Sequence, residues 1–240
     1  MDSTSIRRPG HRTVDRIAAI LEAVANSGSG LTLTQLAVRL EAPVSSIQKL
    51  VNGLVAAGYL DEEDHRFLLG PAPHVLSMRS GRVPVRSLAH ADLVALSGRS
   101  GTPALLAVRV GDNAVYVDWA GTDEPFDYAL SKSLRSALPR TAAGRVLLAH
   151  LPERDRRAVV SAVLGDDTAA AVALLADAEK IRSRGYAVVA SGHVMRSVTA
   201  VAVPVVEEGR VVAALAIADH ADTVSARLDE FVALLLSASA

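Results

Sequence analysis

Cysteine is absent from the 240 residues, which excludes disulfide scaffolds, thiolate zinc sites, iron–sulfur clusters and thiol nucleophiles. Aromatic residues are scarce, with three Phe, four Tyr and one Trp, so Leu, Val and Ala must fill any core. No apolar run approaches the roughly 18–20 residues that a membrane-spanning helix requires. The opening MDSTSIRRPGHR lacks the apolar stretch of a signal peptide. Excess charge is missing as well: 25 Lys and Arg against 26 Asp and Glu leave a formal charge of −1. The chain carries no phosphate-cradling glycine loop, no nucleophile elbow and no pair of histidines at metal-ligand spacing. These absences predict a cytoplasmic protein that is not an enzyme, has no membrane partner and needs no metal or cofactor. Half of the residues are apolar, enough for one large domain or two smaller ones.

The average charge conceals a division. Residues 1–90 hold 10 Lys and Arg against 8 Asp and Glu, and residues 91–240 hold 15 against 18. From Thr13, apolar residues recur at Val14, Ile17, Ala18, Leu21 and Val24, the spacing of one helix face. Asn26 to Gly30 ends that helix. Thr32-Leu33-Thr34-Gln35 reads as a capping box opening a short second helix with Leu33, Leu36, Ala37 and Leu40 on one side. Glu41-Ala42-Pro43 interrupts, because the residue before proline is pushed out of helical space. A third helix is predicted from Val44 to Ala57 with Ile47, Leu50, Val51, Leu54 and Val55 inward, and Gly58 stands at its stop. A hairpin follows: Tyr59-Leu60, a polar turn from Asp61 to His65, then Arg66 to Gly70. Helix, helix, turn, helix, hairpin is the order of a winged helix-turn-helix, assigned here to residues 1–70.

Residues 71–86 contain Pro71, Pro73, Gly81 and Pro84 and read as a linker with room for one short helix. Residues 87–240 form the remaining domain, and a helical stretch from Val85 to Ser97 leads into it. Strands are predicted at Ala104–Val110 and Ala114–Trp119 around Gly111-Asp112-Asn113, a strong hairpin signal. Helices follow near Ala142–Leu151, Glu153–Leu164 and Ala169–Arg184. Further strands fall at Tyr186–Ala190, Val198–Val206 and Arg210–Ile217, and a terminal helix runs from Ala221 to Ser237. The fold class is α+β around an antiparallel or mixed sheet.

On the third helix, Ser45, Ser46, Gln48, Lys49 and Asn52 lie outward, and side chains of these types meet base edges and phosphates in a major groove. Arg12 and Arg16 can neutralise phosphates, Thr34 on the second helix is a further DNA-binding candidate, and His65 and Arg66 stand at the wing tip. The four carboxylates from Asp61 to Asp64 oppose such an interface. A solvated face carrying no contacts remains open on these residues alone.

The stretch LTLTQLAVRLEAPVSSIQKLVNGLVAAGYL followed by RFLLG resembles the DNA-binding half of the IclR family of bacterial transcriptional regulators. TAAGRVLLAHLP at 141–152, IRSRGYAVV at 181–189 and TAVAVPVVEEGRVVAALAIA at 199–218 resemble its second half, in order. The resemblance implies a linker helix, a GAF-like effector-binding domain, and homodimers or dimers of dimers acting on a double-stranded DNA operator. Where the family often has Ser-Thr and His-Arg, this recognition helix has Ser45-Ser46 and Gln48-Lys49, and Glu41 replaces a usual glycine.

The resemblance also implies an effector pocket between the sheet and the segment Thr141-Ala142-Ala143-Gly144, with further walls from Tyr128, Leu130, Leu138, Val189, Thr199, Ala216 and Ala218. Members that bind small keto acids carry an acidic residue where Val189 aligns, a cysteine where Thr199 aligns, and serines where Ala216 and Ala218 align. An unpartnered buried carboxylate is costly. A pocket without one favours a small, fairly apolar or aromatic acid, ester or amide. Two functions stay open: a ligand-responsive regulator, more readily a repressor, and a sensor or dimerisation module that no longer binds DNA.

Overall fold

The computed structural model describes residues 11–81, 83–121, 135–190 and 198–239. They divide into two compact units, 1–83 and 84–240.

In the first unit, α1 (Arg12–Ala25), α2 (Leu33–Arg39) and α3 (Val44–Ala56) precede a hairpin of β1 (Leu60–Glu63) and β2 (Arg66–Leu69), then α4 (Ala72–Ser80). Ile20, Leu36, Ile47, Val51, Leu60 and Phe67 close one core, each helix giving its periodic face. Thr32 and Gln35 form the capping box: Thr32 Oγ1 accepts the Gln35 N–H and Gln35 Oε1 accepts the Thr32 N–H. Leu31 pairs with Phe67 as a third, single-residue rung of the wing.

Both α2 and α3 end alike. After α3, the Tyr59 N–H reaches Leu54 O, the Gly58 N–H reaches Val55 O, and Gly58 has φ +71°. After α2, the Ala42 N–H reaches Ala37 O and the Glu41 N–H reaches Val38 O, but Glu41 holds the left-handed position, φ +48°. This stop favours glycine, because a Cβ there crowds the carbonyl.

The wing turn is shorter than the sequence suggests. Asp61 to Glu63 belong to β1, and only Asp64 and His65 turn, with φ +48° and +59°. The span 71–86 contains α4, which buries none of its residues.

The second unit is built on one antiparallel sheet, order β5-β4-β3-β8-β7-β6: β3 (Ala104–Val110), β4 (Asn113–Ala120), β5 (Arg135–Ala137), β6 (Ala187–Ala190), β7 (Val198–Glu207) and β8 (Arg210–His220). One face carries α5 (His90–Ser100) and the terminal α9 (Ala221–Ala226) and α10 (Leu228–Ala238). The other carries α6 (Ala142–Ala149), α7 (Glu153–Leu164) and α8 (Thr168–Arg184). The expected single terminal helix breaks at Arg227, whose guanidinium binds Ser100 O and Glu230 and lies 4.6 Å from the Phe231 ring centre. Helix α5 starts at His90, not Val85. Val85 and Leu88 are buried in the core instead, and Asp92 accepts the Ala89 N–H at the helix start. Strand β5 has no counterpart among the predicted strands.

Replacing Glu41 by Gly should raise the stability of the first unit by up to about 1 kcal/mol, read as a higher urea midpoint with unchanged slope. An unchanged or lower midpoint would show that Glu41 carries no backbone strain.

Candidate nucleic-acid interface and effector compartment

Burial of Ile47, Val51 and Leu54 leaves Ser45, Gln48, Lys49 and Asn52 exposed on α3. Ser46 is half-buried, and its Oγ accepts a hydrogen bond from Arg16 NH1 at 3.0 Å, so it ties α1 to α3. Arg12, Arg16, Ser45 and Lys49 line one cleft of about 550 Å³ together with Thr13, Pro43 and Leu50. Thr34 is exposed on α2, next to the capping box. At the wing, His65 is exposed and 3.9 Å from Glu62. Arg66 bends back to donate to Gly30 O at 3.2 Å, fastening the hairpin to the α1–α2 turn.

The two faces of the six-stranded sheet differ sharply. Toward α5 and α10 stand Leu106, Val108, Val201, Val203, Leu215 and Ile217. Toward α6 stand mainly alanines: Ala107, Ala114, Ala200, Ala202, Ala214, Ala216 and Ala218. Small side chains let α6 approach closely, and seven of its eight residues, all but Arg145, are buried. A Cβ at Gly144 would overlap the Leu138 carbonyl oxygen, so only glycine permits this seat. The Thr141 hydroxyl caps α6 by accepting the Gly144 N–H at 3.0 Å.

Leu138, Thr141, Ala142, Ala143, Gly144, Val189, Ala216 and Ala218 are therefore all buried on the α6 side. Thr199 is not brought together with them. It pairs with Asp219 and alternates with Ala200 and Ala202, so it stands on the Val201 face, contrary to its expected place in the pocket wall. Tyr128 and Leu130 lie outside the described residues.

Tyr116 escaped the sequence reading. It is buried on the alanine face, its hydroxyl hydrogen-bonded to the Thr141 side chain; burial pushes its phenol pKa up, and that hydrogen bond pulls it partly back. A β-bulge brings a second aromatic there. Leu106 pairs with Asp118 and Ala107 with Tyr116, leaving Val117 as the extra residue, so Trp119 packs on the α6 side. Asp118 points the other way and meets His90 Nδ1 at 2.8 Å. Arg145, the one residue of α6 that is not buried, donates to Pro139 O and Asp177.

Beside this compartment lies a recess of about 490 Å³. Its apolar walls include Val163, Leu164, Ala173, Leu174 and Val189, and its polar groups are Arg140, Arg145 and Asp177. Among the described residues no cluster of His, Asp and Glu suits a metal ion, and no helix is long and apolar enough to cross a membrane.

Family models match along most of the chain: the IclR helix-turn-helix domain over residues 13–64 and the bacterial transcriptional regulator IclR C-terminal domain over residues 79–240. The chain belongs to the IclR family. It is 32% identical over 189 residues to the HTH-type transcriptional regulator BhcR of Paracoccus denitrificans, covering 74% of this chain and 66% of that one. It is 26% identical over 238 residues to the Pca regulon regulatory protein of Pseudomonas putida, covering 92% and 79%. Among solved structures, an IclR regulator from Alicyclobacillus acidocaldarius matches with TM-score 0.71 and 22% identity, covering 97% of each chain. An IclR homolog from Microbacterium hydrocarbonoxydans complexed with 4-hydroxybenzoate matches with TM-score 0.69 and 22% identity, covering 95% of each.

As an IclR-family transcriptional regulator, the chain joins a DNA-binding helix-turn-helix to an effector domain. The sequence-based fold class, α+β with a helix-turn-helix head, holds.

Gly144→Ala should lower the stability of the second unit by about 3 kcal/mol or more, because the Leu138 carbonyl lies in a packed wall that cannot yield. Chemical unfolding followed by Trp119 fluorescence measures it. A wild-type midpoint would mean that α6 is not held against Leu138.

Proposed function

We propose that the protein is a cytoplasmic, ligand-responsive repressor that binds operator DNA as a homodimer or dimer of dimers. The observation that carries the DNA reading is the cleft shared by Arg12, Arg16 and Lys49 beside exposed Gln48 and Asn52. The cations hold phosphates, and the amide side chains of α3 read base edges. Ser45 and His65 add polar contacts, Thr34 supports the backbone approach, and Ser46 and Arg66 act from behind by fixing α1 and the wing. Repression needs only occupancy of the operator, with no contact to polymerase. Pairing of copies is supported by α4, a nine-residue helix that exposes Val75, Leu76 and Met78 and buries nothing. So short a helix gains most of its stability from packing. The acid run from Asp61 to Asp64, all exposed, favours the second reading, a sensor whose helix-turn-helix no longer binds DNA.

A mobility shift on DNA flanking the protein's own coding sequence separates the two. Specific binding should weaken steeply with salt, and Gln48→Ala with Lys49→Ala should weaken it at least tenfold while circular dichroism stays unchanged. Sedimentation should give a dimer or larger, and deleting the coding sequence should raise expression of a reporter on that DNA. Salt-insensitive or variant-insensitive binding would sink the groove-reading assignment.

The effector is proposed to be a small aromatic or otherwise fairly apolar acid, ester or amide. The recess beside Val189 supports this, since it has room for a benzoate-sized molecule, its walls are mostly apolar, and Arg140 adds positive charge beside the Arg145–Asp177 pair. Leu138, Ala142, Ala143, Gly144, Ala216 and Ala218 give the compartment its small, apolar lining, with Thr141 and Tyr116 as its polar pair. The 4-hydroxybenzoate complex of the Microbacterium hydrocarbonoxydans homolog agrees in chemical class. In a thermal-shift series, benzoate or 4-hydroxybenzoate should raise the melting temperature, whereas pyruvate and glyoxylate should leave it unchanged. Stabilisation by pyruvate or glyoxylate alone would overturn the assignment.

A further inference from the structure

The chain enters the second unit at Pro84 and is fastened within a few residues. Val85 and Leu88 are buried in the core on the bulky face of the sheet. Between them, the backbone N–H groups of Arg86 and Ser87 both donate to one oxygen of the Glu207 carboxylate, at 2.6 and 2.8 Å. Hydrogen bonds from N–H groups to an ionised carboxylate are stronger than neutral ones, and these two hold the Glu207 carboxyl below its usual pKa. The Arg86 guanidinium also lies 3.9 Å from Glu208.

Glu207 is the last residue of β7, at the tight turn into β8. From there the two strands run across the middle of the sheet to Ala200, Ala216 and Ala218, whose side chains wall the α6 compartment. Glu207 lies seven positions along the strand from Ala200, roughly 23 Å. The two strands stay paired from Glu207 back to Val198, with one irregularity between Val205 and Val206. A displacement of the hairpin's far end by a bound molecule is therefore carried to the turn.

We infer that Glu207 is the positioning residue that latches the linker to the β7–β8 hairpin, so that the strands walling the compartment also set where the chain departs toward the DNA-reading unit. The consequence for regulation rests on the reading of the compartment as the effector site; the latch itself does not. Two successive amides on one carboxylate move with the hairpin turn as a body, whereas Val85 and Leu88 alone would leave the peptide between them free to rotate. Releasing the latch widens the range of positions open to each DNA-reading unit, and a dimer that must place two units on two half-sites then binds more weakly.

Hydrogen exchange on the full chain tests this directly. In Glu207→Ala, the peptide covering residues 84–89 should exchange about tenfold faster or more, while peptides from β7 and β8 keep their protection. Glu207→Gln, which retains an acceptor oxygen, should restore part of the protection. Glu208→Ala should change nothing at residues 84–89. On the DNA that the wild type shifts, Glu207→Ala should bind threefold or more weakly, with Arg12, Gln48 and Lys49 intact. Unchanged exchange in Glu207→Ala overturns the latch, and lost protection with full DNA affinity overturns its consequence for DNA binding. If the wild type binds no DNA, the regulator reading fails, and exchange alone decides the latch.

Discussion

The second unit depends on how closely α6 lies against the sheet. The helix is apolar on almost every side, as a helix enclosed by protein must be. It touches the strands through alanines and passes the Leu138 carbonyl only because residue 144 has no side chain. Buried backbone groups at the ends of such a helix need side-chain partners. Thr141 is that partner at the N-terminus, accepting the Gly144 N–H. At the C-terminus the buried Arg156 donates to Ala149 O and is itself neutralised by Glu179, and His150 Nδ1 meets Val146 O. Everything placed around the compartment inherits this arrangement: Tyr116 binds the same Thr141 that caps the helix, and Arg145 leaves the helix to bind Pro139 and Asp177.

Local signals in the sequence carried much of the fold. Strong 3.6-residue periodicity marks α1 and α3, a capping box marks α2, and Gly111-Asp112 joins β3 to β4, all of them interactions between residues a few positions apart. Long-range constraints stayed hidden. β5 is three residues long and exists only because β4 offers an edge. Val85 and Leu88 have helical spacing but are buried outside any helix. Glu207 looks like one acid of a polar turn until residues 86 and 87 are seen beside it. On the DNA side, residue types were legible and partnerships were not, since Ser46 and Arg66 are spent on Arg16 and Gly30.

The near-neutral total charge follows from a similar separation of tasks. Positive charge is concentrated where α1 meets α3, in Arg12, Arg16 and Lys49, and such a local field acts over about one Debye length, roughly 8–10 Å in physiological salt. Elsewhere acids and bases pair off, as in Arg157 with Glu153 and Arg227 with Glu230. An average over 240 residues cannot register a cleft that three side chains create.

Thr199 and Asp118 share a lesson about strands, since which way a side chain points depends on counting residues along the ladder. In β4 the count is altered once, by Val117. Because of that single extra residue, an indole and not a carboxylate turns toward α6, and Asp118 is left to His90 on the opposite face. The electrical character of the α6 face is thus set by the register of a strand as much as by its composition. Regular pairing of the same residues, without the bulge, would turn Asp118 toward α6 in place of Trp119 and exchange an aromatic wall for a negative one with no substitution at all.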